Sequence, residues 1–135
     1  GYASFAMAGA RPAAPIAAAW AILHWLGRDG YVRLARKIRD TTRKLRAGIA
    51  AIDGLFVHGD PEMSLFAFGS TRHDVFAIGD VMDDRGWCLD RQTGPDALHL
   101  MVSPEHERVA DAFLADLREA VAIHGESRGK AARYS

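Results

Sequence analysis

Cysteine is almost missing from this chain: Cys88 is the only one in 135 residues. No internal disulfide can form, so packing alone must hold the fold, and a reducing, cytoplasmic setting is expected. Lysine is scarce too, limited to Lys37, Lys44 and Lys130. There is no long hydrophobic run. The longest apolar stretch, Ala13 to Leu23, is too short to cross a bilayer and contains Pro15. Charge of one sign is not in excess either, since 17 basic residues balance 17 acidic ones. Overall charge therefore gives no basis for binding nucleic acid or a membrane surface. The six histidines, His24, His58, His73, His99, His106 and His124, lie on different predicted elements with no His-x-x-x-His pair. No metal site is expected from them. No Ser-His-Asp arrangement or glycine-rich nucleotide loop stands out.

What remains is an ordinary globular mixture, 49% hydrophobic and 25% charged, in a chain long enough to bury one core. Pro12 suits the first turn of a helix, and Ala13 to Leu26 is apolar nearly all round, which predicts a helix buried on most faces. Gly27 and Gly30 are expected to interrupt it, with Asp29 capping the next helix. From Tyr31 to Ile52 the apolar residues Leu34, Ile38, Leu45 and Ile49 recur at helical spacing. Arg33, Arg36, Lys37, Arg39, Arg43, Lys44 and Arg46 lie largely off that stripe. Without interleaved aromatics they read as a solvated or ion-paired helix surface, not a nucleic-acid face.

After Asp53-Gly54 the period shortens. Leu55 to His58 and Ser64 to Gly69 read as strands, the second covered on both faces. Asp74 is placed to cap a helix whose Val75, Ile78, Gly79 and Met82 face inward and whose Asp80, Asp83 and Asp84 face water. Gly86 ends it. Trp87 to Asp90 and Ala97 to Val102 read as two further strands, with Cys88 a small core residue. Ser103-Pro104-Glu105 opens the last helix, with Val109, Phe113 and Leu117 on its apolar face. The order helix–helix–β–β–α–β–β–α gives an α+β fold, helices on a mainly antiparallel sheet. From Gly125 the composition predicts a mobile tail.

The run Gly1-Tyr2-Ala3-Ser4, Ala8-Gly9-Ala10-Arg11-Pro12, Ala17-Ala18-Ala19-Trp20 and Gly27-Arg28-Asp29-Gly30-Tyr31 resembles the sphingosine-1-phosphate lyases. These belong to the group II decarboxylase branch of pyridoxal-phosphate enzymes with the aspartate-aminotransferase fold. The likeness continues through Pro61-Glu62-Met63-Ser64, Ala67-Phe68-Gly69-Ser70, Arg85-Gly86-Trp87, His99-Leu100 and Asp116-Leu117-Arg118-Glu119-Ala120-Val121. It covers nearly the whole chain but only the C-terminal part of such an enzyme. A chain that opens on glycine inside a loop of small residues is accordingly expected to be a piece of a longer one.

The resemblance implies that residues 1–52 end the large cofactor domain, that 53–124 form the small C-terminal domain, and that 125–135 form a flexible tail. It implies pyridoxal 5'-phosphate as cofactor of the whole enzyme, held by a lysine in an Asp-x-His-Lys context. None of Lys37, Lys44 and Lys130 has that context, so this chain alone is expected to be inactive and free of cofactor. Tyr2 and Arg11 fall where the family's loop passes the phosphate. The loop's serine is replaced by Ala10, which removes a donor whose bond to a charged partner is worth about 1.5–3 kcal/mol. Tyr134, His99 and Arg91 are the candidates for the edge of the active site. The implied partners are a missing N-terminal cofactor domain, a second subunit in a homodimer or higher oligomer, and a phosphorylated sphingoid base. The implied reaction is retro-aldol cleavage to a fatty aldehyde and phosphoethanolamine. Two alternatives stay open: an amino-acid decarboxylase of the same superfamily, with Arg91 gripping the substrate carboxylate, and a non-enzymatic α+β dimerisation module.

Overall fold

The computed structural model describes residues 12–129. Its elements run in the order helix, two strands, helix, two strands, helix: α1 (Ala13–Ala50), β1 (Leu55–Val57), β2 (Leu65–Ser70), α2 (Val75–Asp84), β3 (Asp90–Gln92), β4 (Ala97–Met101) and α3 (Ala110–Ile123). A 3-10 turn, Pro104–Arg108, leads into α3. The chain divides into two compact units between Ala35 and Arg36.

In the first unit, α1 leaves helical geometry at Gly27, with φ 57°, a value that suits glycine because it has no Cβ to clash. The second break expected at Gly30 does not occur: Gly30 stays helical, so Asp29 lies within the helix and opens nothing. The described residues do not themselves cover Ala13 to Leu26. Trp20 is 63% and Trp25 80% exposed, and Ile16 and Leu23 are exposed beside them. An apolar helix gains from burial only when something covers it.

The second unit begins on the remainder of α1, whose Leu45 and Ile49 are buried and join the core. Sheet order is β1-β2-β4-β3, antiparallel throughout. Because side chains alternate, each strand feeds two faces. Phe66 and Phe68 of β2 and Leu98 of β4 point into the core with Ile78 and Met82 of α2 and Phe113 and Leu117 of α3. Leu65 is paired with Met101 on the other face, and both are exposed. Cover on both faces of β2 is therefore not found; helices pack on one side only.

Local signals place the helix ends. Asp74 caps α2, its Oδ1 accepting from the Phe76 and Ala77 amides at 2.9 and 3.3 Å. Gly86, at φ 88°, turns the chain out of it. Trp87 packs edge-on to Phe113 at 5.3 Å between centroids, which hands the core position to Trp87 and leaves the next residue, Cys88, exposed. Several basic residues of α1 are ion-paired within the second unit: Lys37 to Glu107 at 2.7 Å, Lys44 to Asp111 at 2.6 Å and Arg46 to Asp60 at 2.5 Å.

Candidate functional site

The sheet sorts two of the sequence candidates onto opposite faces. His99 of β4 stands opposite Asp90 of β3 and Ala67 of β2, and the neighbouring pair, Arg91 opposite Leu98, lies one residue along. A one-residue step reverses the face. His99 therefore belongs to the face without helices, and Arg91 to the helix-covered face. The structure does not bring them together.

Arg91 is buried beneath α2 and fully engaged there. Its Nη2 donates to Asp80 at 2.8 Å and Asp83 at 3.0 Å, and its Nη1 to the Phe76 carbonyl at 3.1 Å. Asp80, expected to face water, is 3% exposed. Burial pushes the Asp80 carboxyl upward, but hydrogen bonds from the Arg128 amide and the Arg91 guanidinium outweigh it and hold the carboxyl below its usual range. The helical spacing of α2 could not show this, because the partner sits in a strand eleven residues on.

His99 borders a cavity of about 230 Å³ at the β3–β4 edge, with Trp87, Asp90, Met101, His106 and Phe113 also in its wall. His106 is held by Ser103, whose amide donates to His106 Nδ1 at 2.7 Å. In the neutral ring the proton is then on Nε2. The cavity is lined mainly by apolar side chains, with His99, His106 and Asp90 the polar residues among them.

Tyr2, Arg11 and Tyr134 lie outside the described residues. Neither described lysine is available as a cofactor amine, since Lys37 and Lys44 each carry a carboxylate partner on the surface. A Schiff-base cofactor needs an uncommitted amine in its site, so the described residues do not supply the group that would hold pyridoxal phosphate. No three His, Cys, Asp or Glu side chains among the described residues gather as a metal site. No described helix is long and apolar enough to cross a membrane.

No family model matches the chain. Comparison with known proteins does find relatives. A sphingosine-1-phosphate lyase of Arabidopsis thaliana is 41% identical over 89% of this chain, which is 22% of that protein. The solved structure of the Burkholderia pseudomallei sphingosine-1-phosphate lyase superposes on 91% of this chain with a TM-score of 0.85 and 39% identity, using 28% of its own length. A probable L-tyrosine/L-aspartate decarboxylase of Methanothermobacter thermautotrophicus is 32% identical over 81% of the chain and 30% of its own. The chain spans about a quarter of the length of the proteins it matches. The α+β layer of helices on an antiparallel sheet is the fold of the matching part of these pyridoxal-phosphate-dependent enzymes. The chain is therefore a homologue of one part of the sphingosine-1-phosphate lyases, alike in sequence and in fold.

Proposed function

We propose that the whole protein is a pyridoxal-phosphate-dependent carbon–carbon lyase acting on a phosphorylated sphingoid base, releasing a fatty aldehyde and phosphoethanolamine. The observation that carries this is the joint match in sequence and fold to sphingosine-1-phosphate lyases, 39% identity at a TM-score of 0.85 over 91% of the chain. When bound, the cofactor stores the electron pair left by bond cleavage. In this reading residues 1–52 end the large domain, 53–124 form the small domain and 125–135 the C-terminal tail. Tyr2 and Arg11 stand on the phosphate side, and His99, Arg91 and Tyr134 at the active-site edge. Of the two described candidates Arg91 is the weaker, because it is buried against Asp80 and Asp83. The missing domain and a second subunit of a homo-oligomer would cover the exposed apolar side chains of α1, and the enzyme would work in the cytoplasm.

The test is a paired assay. The whole protein is expected to release aldehyde from a phosphorylated sphingoid base, and the 135-residue chain none, even with added cofactor. Turnover by the short chain alone would overturn the reading.

The decarboxylase alternative rests on the archaeal relative. Its predicted carboxylate ligand, Arg91, already serves Asp80 and Asp83, which weakens it. Carbon dioxide release from an amino acid, without aldehyde release, would favour it.

A further inference from the structure

The helix α2 ends on Asp80, Asp83 and Asp84, with no basic residue in its last turn. Negative charge at a helix C-terminus is opposed by the helix dipole, so this end requires cations from elsewhere. Arg91 of β3 supplies one. The second comes from beyond α3. The Arg128 amide donates to Asp80 Oδ2 at 2.6 Å, and its Nη2 donates to the Asp80 carbonyl at 2.6 Å and to Asp84 Oδ2 at 2.8 Å. One arginine thus closes three hydrogen bonds onto two residues of α2.

The same segment is fastened at its other end. His124, the C-cap of α3, places Nε2 2.9 Å from Nδ1 of His73, the residue just before the N-cap of α2. The lengths agree. From His73 to Asp80 along α2 is about 10 Å at 1.5 Å per residue, and four residues from His124 to Arg128 span at most about 14 Å when extended.

We propose that residues 124–128 are a strap laid along α2, buttoned by His124 on His73 and by Arg128 on Asp80 and Asp84, and that the Arg128 clamp sets where the chain leaves the α+β layer. This is independent of the lyase reading, since it needs no substrate or cofactor. Both side-chain bonds leave Nη2, while Nε stands 3.7 Å from Asp80 Oδ2; a lysine would keep the charge but not the planar group that lays two nitrogens along the end of α2.

The test uses the 135-residue chain and cleavage after Glu126, whose side chain is exposed inside the strap. Arg128→Ala, at a half-exposed side chain, is expected to raise the rate of glutamyl-endopeptidase cleavage there about tenfold, the change that about 1.4 kcal/mol of lost fastening gives. Arg128→Lys should fall between wild type and Arg128→Ala. Hydrogen exchange should rise in the peptide 124–129 alone. Unchanged cleavage in Arg128→Ala would overturn the proposal, as would exchange that rises equally in α3, the signature of global loosening and not of an opened strap.

Discussion

The indole Nε1–H of Trp87 donates to Asp116 Oδ2 at 2.7 Å, joining the turn after α2 to the middle of α3. Arg85 donates to the other oxygen of Asp116, also at 2.7 Å, and reaches Glu119 at 2.8 Å. Asp116 thus fixes the ring that packs on Phe113 and walls the β3–β4 cavity. Asp116→Ala removes the partner of a half-buried indole N–H and the ion pair of that carboxylate with Arg85, and is expected to destabilise the fold. Urea titration should show it as a lower midpoint at unchanged slope. With Trp20 and Trp25 changed to Phe, the remaining Trp87 emission should shift red on the same substitution.

Acid should unfold the chain through the same carboxylates. The Trp87 and Arg85 hydrogen bonds hold the Asp116 carboxyl below its usual range, and Asp80 is held low by Arg128 and Arg91 against the opposing effect of burial. A carboxyl with a folded pKa below its unfolded one stabilises the native state fully above the unfolded value, here 3.8. That contribution disappears as pH falls through the folded value. Urea midpoints measured from pH 6 to pH 2 should hold steady and then drop below about pH 4. Asp116→Asn should lower the plateau and flatten the drop; a drop of undiminished size would show that other groups carry it.

Gly48 tests the packing of α1 on α3. A Cβ built there would stand 2.4 Å from Leu114 Cδ1 and 2.7 Å from Cδ2. In an open helix Gly→Ala gains about 1 kcal/mol. Here the methyl must displace a buried leucine, and overpacking costs about 1–3 kcal/mol. Gly48→Ala should therefore be destabilising, by about 1 kcal/mol net. Pairing it with Leu114→Val should recover part of the loss. A stabilised single variant would mean that Leu114 swings aside freely.

How much of this was legible depends on how far apart the interacting residues lie. Asp74 and Gly86 announce the ends of α2 because capping is decided within a few residues. The alternation of Leu65, Phe66, Ala67 and Phe68 shows the strand but not which face lacks helices, since that depends on chain pairing at a distance. Asp80 reads as solvent-facing for the same reason: its cations are Arg91, eleven residues on, and Arg128, forty-eight residues on. One local sign was available, three aspartates closing a helix with no basic residue in its last turn. Of the candidate site, His99 stands between Leu98 and Leu100 in β4, and strand alternation alone sets it on the opposite face from them. The family likeness rests on motifs in order along the chain, and the Arabidopsis thaliana lyase is similar over 89% of it.

The exposed tryptophans of α1 predict how the chain behaves in isolation. Trp20 and Trp25 are 63% and 80% exposed, and Pro12, Pro15, Ile16, Ala19 and Leu23 line an apolar cleft with Trp20. A tryptophan ring can bury about 150–250 Å², and at about 25 cal/mol per Å² the gross gain is about 4–6 kcal/mol per ring. Ordering costs on association remove much of that, yet the remainder still favours a covered helix. Sedimentation of the 135-residue chain should show concentration-dependent self-association. Replacing Trp20 and Trp25 together by Gln should weaken it at least about tenfold, with the melting temperature of the α+β unit unchanged, because neither ring belongs to that core. A wild-type chain that sediments as a monomer at every concentration would show that the cleft needs no cover, and would remove the physical reason for placing another domain or subunit on it.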